Sequence, residues 1–327
     1  MRSLKKLLAV LLALTIVFSV MVVPTFAQSL RYEEEARRLY DLGLFKGRSD
    51  KEYVPDLESR LTREEGIAIL LRIFCLDKEA EKLSEQEAKD ILSQFSDADK
   101  VSGWALKYVA YAVKEGIVAG RTGGVLSPLD PLLGKEYATM LLRLLGYTVD
   151  ASNYEFATAD FATTTGFPNA EAIRVNNEFI TRDDVVGMSY YTVGSNYKDG
   201  SSVIGKIIEA NPSIKAKAIE FGLLAIADVV DEIEPITIKV GETYQLPATV
   251  KVKYTDGSEA DVAVTWDRSA VKTDVAGEYK AYGTVAGLDE KIEVTIIVEP
   301  DVLAVESVTA DNLKEVVVVF NQDVSEN

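Results

Sequence analysis

Apolar residues change their spacing once along this chain. As far as about residue 230 they recur at helical intervals, as in Ile67, Leu70, Leu71 and Phe74, or Leu141, Leu142 and Leu145. Past residues 231–235, β-branched residues alternate with polar ones: Thr249-Val250-Lys251-Val252-Lys253-Tyr254, then Val262-Ala263-Val264-Thr265-Trp266. The pattern predicts a helical front joined to an all-β back. Residues 195–230, which include Ile204-Gly205-Lys206-Ile207-Ile208, are expected to be helical and to brace what precedes them. In the back, Thr255-Asp256-Gly257-Ser258 is a hairpin turn signal, and Trp266 and Tyr279 fall where a β core needs large side chains. Residues 303–327 suggest two further strands, too few to bury a core, so they are expected to open a truncated module.

The first residues follow another pattern. Arg2, Lys5 and Lys6 precede an apolar run over 7–23, then Pro24-Thr25-Phe26-Ala27. That order of charge, apolar stretch and small residues is a cleavable secretory signal, with cleavage expected after Ala27. No cysteine stands directly after the run, which argues against bacterial lipidation.

A unit repeats within the helical front, and a repeat outranks local propensity as evidence. Leu61-Thr62-Arg63-Glu64-Glu65-Gly66-Ile67 aligns with Leu132-Leu133-Gly134-Lys135-Glu136-Tyr137-Ala138 and with Ile180-Thr181-Arg182-Asp183-Asp184-Val185-Val186. Upstream of each stands a helix that should end at glycine: Gly43, Gly116 or Gly166. In the second and third copies an aromatic, Trp104 or Tyr154, sits upstream of that glycine.

The combination of Phe95-Ser96-Asp97, Trp104, Gly116-Ile117-Val118-Ala119-Gly120 and Ser127-Pro128 with the Thr-Arg-Glu-Glu and Thr-Arg-Asp-Asp elements resembles the S-layer homology repeat of bacterial surface proteins. The resemblance spans 32–193 and divides the front into repeats at 30–90, 91–149 and 150–230. It implies an all-α pseudo-trimer whose grooves bind a secondary cell-wall polysaccharide, often one bearing pyruvate ketals. Residues 231–300 resemble a bacterial immunoglobulin-like sandwich, and 301–327 the start of another. The implied protein is secreted, sits in the cell wall or S-layer, and is able to associate with itself in a lattice.

Thr62-x-x-Glu65 has the form of a capping box, and Thr181-x-x-Asp184 is a shorter version. The arginines between need a separate reason, because a cation in a helix's first turn opposes the dipole. A ligand anion would reverse that penalty, since free helix amides and a guanidinium together suit a carboxylate. The resemblance implies ligand contact for Arg63 and Arg182, with Glu65, Asp184, Lys135, Glu136, Gly43 and Gly116 around them. The second copy departs from the pattern, with Gly134 in the arginine position and Lys135 as a displaced charge. Asp130-Pro131 offers that helix an earlier start. Trp104 could stack on a sugar, but its expected place is the core.

Charge and rare residues narrow the functions. The net charge is −17 and deepens to about −20 once the three basic residues of the signal are removed, which argues against nucleic acid and anionic membrane as partners. Histidine is absent and Cys75 is the single cysteine, so His-based triads, Cys–His nucleophiles, most zinc sites and an intrachain disulfide are excluded. No cofactor is expected; the acidic surface allows Ca²⁺, though no Asp-rich loop indicates it. The expectation is binding rather than catalysis, with a wall-anchored exoenzyme or an adhesin, its functional part lying beyond residue 327, as the alternatives.

Overall fold

The computed structural model describes residues 30–49, 52–231, 234–300, 305–312 and 314–320; the expected signal lies outside them. The chain divides into two compact units, Met1–Lys217 and Ala218–Asn327.

The first unit is built from helix–loop–helix segments. In the first, α1 (Glu33–Asp41) is followed by α2 (Arg63–Ile73), and two short helices, α3 (Asp77–Glu81) and α4 (Glu85–Leu92), lead onward. The second pairs α5 (Leu106–Lys114) with α6 (Gly134–Leu144). The third holds α7 (Ala157–Thr165), α8 (Asn169–Val175) and α9 (Arg182–Val193), with α10 (Val203–Ala210) following; α11 (Lys215–Glu220) spans the division at Lys217. Gly43, Gly116 and Gly166 stand just past α1, α5 and α7 at φ +73°, +71° and +75°, the left-handed turn that closes a helix and suits glycine.

Short extended stretches before α2, α6 and α9 join the segments. Thr62 bridges to Pro131, Leu133 to Phe179 and Arg60 to Thr181. Every one of these three helices has its first two amides taken by carbonyls of a different segment. Arg63 and Glu64 donate to Asp130 and Pro128, Gly134 and Lys135 to Glu178 and Asn176, and Arg182 and Asp183 to Ser59 and Leu57. The set of bonds closes on itself. Leu61, Leu132 and Ile180 lie at these crossings and are buried, and the Tyr137 and Ser189 hydroxyls, also buried, meet at 2.7 Å between α6 and α9.

The second residue of each helix adds a further tie. Glu64 accepts from the Ser102 amide at 3.0 Å, and Asp183 accepts from the amides of Arg31 and Tyr32 at 2.8 and 3.0 Å. At the matching position Lys135 instead pairs with Glu155 at 2.8 Å.

In the second unit the strands are β1 (Ile226–Val229), β2 (Ile236–Lys239), β3 (Thr243–Gln245), β4 (Thr249–Tyr254), β5 (Glu259–Trp266), β6 (Ala270–Lys272), β7 (Gly277–Val285) and β8 (Ile292–Glu299), followed by β9 (Val305–Asn312) and β10 (Glu315–Phe320). Six form one sheet in the order β1-β4-β5-β7-β8-β2, antiparallel except for β2 against β8. β3 and β6 form a separate ribbon, which contributes Val271 to a core with Ile238, Leu246, Ala281, Val294, Ile296 and Val298. Trp266 and Tyr279 pack against that core half-buried. Gly257, at φ +84°, turns the chain from β4 into β5 as its sequence signal predicts.

One expectation is corrected. The stretch 216–230 is helical only through Glu220; Gly222 turns at φ +70° and Ile226–Val229 pairs with β4. The β-branched residues of that stretch serve as an edge strand, which helical periodicity alone does not distinguish in so short a run.

Candidate functional site

A cavity of about 770 Å³ is lined by the start of α2, the loop after α5, one face of α6 and the turn before α7. Arg63, Arg121, Arg143, Glu136, Asp130, Asp150 and Tyr154 are among its polar lining residues, with Val118, Leu133 and Met140 among its apolar ones.

Arg63 is the first residue of α2, set by Thr62, whose side chain accepts from the Glu65 amide while the Glu65 carboxylate takes the Thr62 amide at 2.9 Å. Its side chain leaves α2 altogether. Nη1 lies 2.9 Å from Oε1 of Glu136, Nη2 donates to the Ala119 carbonyl at 2.9 Å, and Nε is buried with no partner among the described residues. Only 6% of Arg63 is exposed. Burial pulls its pKa down, against the pull of Glu136, yet a guanidinium keeps its proton at neutral pH. The charge is therefore held in a poorly solvated place.

Glu136 is the third residue of α6, where it accepts from the Leu133 amide at 3.2 Å and from Nε of Arg121 at 2.8 Å. Arg121 reaches on to Asp130 at 2.5 Å. Arg143 gives Nε and Nη2 to the Val149 carbonyl at 3.1 and 2.6 Å, and burial lowers its pKa as well. The Tyr154 phenol is pushed up to about 12, first by burial and then by Glu136, so it is a hydrogen-bonding hydroxyl at neutral pH. Three guanidinium groups thus converge in a chain of net charge −17, faced by buried Glu136 and by exposed Asp130 and Asp150.

Arg182 repeats the arrangement. It begins α9 behind Thr181, donates through Nε to Pro55 O at 2.9 Å and through Nη2 to Lys46 O at 3.2 Å, and lies 5.3 Å from the centroid of the Phe45 ring. Lys46 stands after Gly43 as Ala119 stands after Gly116, so both arginines clamp the same point of equivalent loops. Arg48 here matches Arg121, pairing with Asp56 at 2.7 Å and approaching Glu65 at 3.7 Å. Burial also lowers the Arg182 pKa.

The third junction differs. At Gly134 a Cβ would fall 2.1 Å from the Val175 carbonyl oxygen, leaving no room for an arginine. Asp184 takes the Thr181 amide at 3.0 Å and pairs with Arg174 of α8.

The structure revises several of the expected placements. Arg63 and Arg182 do not stand beside free helix amides, because the first amides of both helices are already bonded to other segments. α6 begins at Gly134 rather than a turn earlier; Asp130 lies in the bend that precedes the extended stretch, its carbonyl capping α2 and its carboxylate holding Arg121. Lys135 pairs with Glu155 and lies 5.1 Å from the Tyr154 ring centroid. Trp104 is not core: it is 55% exposed, while neighbouring Ala105 faces inward. Gly43 and Gly116 close helices, with open space where a Cβ would stand. Asp97 fixes the cavity loop by accepting from the amides of Leu126 and Ser127 at 2.7 and 2.8 Å. Sequence reasoning does not single out Arg48, Arg121 or Arg143; the signal available is that Arg48 and Arg121 each follow the second glycine of a repeated loop.

Among the described residues no cluster of His, Cys, Asp and Glu is arranged to hold a metal ion, and no helix is long and apolar enough to cross a membrane.

Comparison with known proteins adds two domain matches. Residues 94–138 match the S-layer homology domain, and residues 231–288 match the bacterial Ig-like domain, group 4. A 113-residue stretch, 34% of the chain, is 32% identical to the surface-layer 125 kDa protein of Lysinibacillus sphaericus. The match covers 8% of that relative's length. The chain carries an S-layer homology domain and a bacterial Ig-like domain, which places it among the secreted proteins of the bacterial cell wall or S-layer.

Proposed function

We propose that the chain fastens a surface protein non-covalently to an anionic secondary cell-wall polysaccharide, and that a pyruvate-ketal carboxylate is the group recognised. In this reading the helix–loop–helix segments are three S-layer homology repeats closed into a pseudo-threefold unit, and the cyclic bonding of α2, α6 and α9 supports that closure. The chain works by binding, and the Ig-like domain acts as a spacer.

One observation carries the reading. Arg63 is 6% exposed, its Nε has no partner among the described residues, and it borders a cavity that also holds Arg121 and Arg143. Guanidinium groups held in a poorly solvated cavity bind carboxylate more strongly than the same groups in water. The apolar lining beside them suits the carbon skeleton of a ketal-bearing sugar.

The test is sedimentation of the purified protein with cell-wall sacculi, before and after chemical removal of the secondary polymer. Binding is expected to disappear on stripping, and to weaken at least tenfold when Arg121→Ala and Arg143→Ala are combined, because each charge-assisted contact contributes about 1.5–3 kcal/mol. Equal retention on stripped walls would reject the ligand.

A further inference from the structure

The third junction contains the parts of a carboxylate site with the carboxylate already in place. Glu171, on α8, puts Oε1 3.0 Å from Nη1 of Arg31 and Oε2 2.7 Å from Nε of Arg174. Arg174 also pairs with Asp184, the third residue of α9, as Arg121 pairs with Glu136, the third residue of α6. Arg31 stands where the repeat alignment has Tyr154, a residue that lines the arginine cavity. Beside them Gly134 replaces the clamping arginine, and the Val175 carbonyl fills the space its side chain would need.

These are independent changes with one effect. The residue that would clamp a ligand is missing, and one internal carboxylate bridges both guanidinium groups that remain, whereas Asp130 and Asp56 at the other two junctions each pair with a single arginine among the described residues. We propose that Glu171 substitutes for the ligand's carboxylate at this junction, so that the helical unit takes up wall polymer at two junctions, those of Arg63 and Arg182, and keeps the third closed as a structural joint. The count of two rests on the polysaccharide reading above; the substitution by Glu171 does not.

The two parts are therefore tested separately. Thermal unfolding of the full chain, Glu171→Ala and Glu171→Gln is followed while sodium acetate replaces sodium chloride at constant ionic strength. Glu171→Ala is expected to melt lower than the parent and to regain most of the difference along a saturating acetate curve. The parent and Glu171→Gln, whose side chains fill the position, should shift at least threefold less. If Glu171→Ala does not fold without acetate, its refolding yield in acetate against chloride gives the same comparison. An equal acetate response in all three proteins overturns the proposal. Titration calorimetry with a methyl hexoside carrying a 4,6-pyruvate ketal then counts sites, with two expected for the parent; three sites overturn the closed third junction. Acetate rescue without any binding of the ketal probe upholds the role of Glu171 and rejects the polysaccharide reading instead.

Discussion

Arg63 and Glu136 belong to the first turns of two different helices, and their side chains meet at 2.9 Å with only 6% and 4% of the two residues exposed. A buried ion pair adds little stability compared with an apolar pair, but breaking one partner leaves an uncompensated charge. Glu136→Gln is therefore expected to destabilise the helical unit by about 3–5 kcal/mol. The double change Glu136→Gln with Arg63→Met should recover a large part of that loss. Urea unfolding monitored by far-ultraviolet circular dichroism reads both. A Glu136→Gln loss below about 1 kcal/mol, the range of an exposed pair, would show that the pair is solvated.

Gly134 gives a prediction whose sign runs against helix propensity. It is the first residue of α6, and replacing a helical glycine by alanine ordinarily stabilises by roughly 0.5–1 kcal/mol. Here the added Cβ falls 2.1 Å from the Val175 carbonyl oxygen and 2.8 Å from its carbonyl carbon, and backbone cannot step aside as a flexible side chain can. Gly134→Ala is expected to cost about 1–3 kcal/mol as an overpacked contact. Gly66→Ala, where the nearest atom is the Leu132 side-chain Cδ2 at 2.4 Å, should cost less. Denaturant midpoints of the two variants decide the order.

The contrast between local and distant relationships explains which features are legible in the sequence. The capping boxes at Thr62 and Thr181 form as expected, because each involves residues three apart. The division into a helical front and a β back follows from periodicity for the same reason. The environment of Arg63 is not legible, since its partners Ala119 and Glu136 belong to another segment. Asn169-Ala170-Glu171 departs from the glycine loop of the other copies; in the structure it opens α8, a helix where they have a loop. Trp104 leaves its expected place because an aromatic in a repeated position suggests core, whereas the turn into α5 buries Ala105 instead.

Asp97 predicts a pH dependence. Burial opposes its charge, but the amides of Leu126 and Ser127 outweigh burial and hold its carboxyl below the usual aspartate range. A carboxyl with a depressed folded pKa binds its proton first in the unfolded chain, so its contribution is complete above the unfolded pKa and is lost as pH falls through the folded one. Asp97→Ala is expected to cost about 1–3 kcal/mol at pH 7, the range for losing charge-assisted bonds and leaving amides unpaired. The difference between parent and variant should shrink as pH drops below about 4. Paired urea titrations at neutral pH and at about pH 3, below the ordinary aspartate value, measure it; a constant difference would mean that the side chain acts through packing and not through its charge.

Trp266 and Gly283 face each other across β5 and β7 in direct register. A Cβ on Gly283 would meet the Val264 side chain at 2.5 Å and the indole at 3.0 Å, so the glycine makes room for both. The indole Nε1 then donates to the Pro247 carbonyl at 2.7 Å, which ties β5 to the stretch before β4. Trp266→Phe removes that donor and part of the packing, and is expected to cost about 1–2 kcal/mol. Gly283→Ala is expected to cost about 1–3 kcal/mol by overpacking, although alanine would ordinarily relieve the entropy of a glycine in a strand. In combination the smaller ring relieves the indole contact and leaves the one with Val264, so the double variant should be more stable than the sum of the two losses by about 0.5 kcal/mol. Both changes should appear in the transition of the β unit and leave that of the helical unit in place. Strict additivity in the double-mutant cycle would show that the glycine is not there to admit the ring.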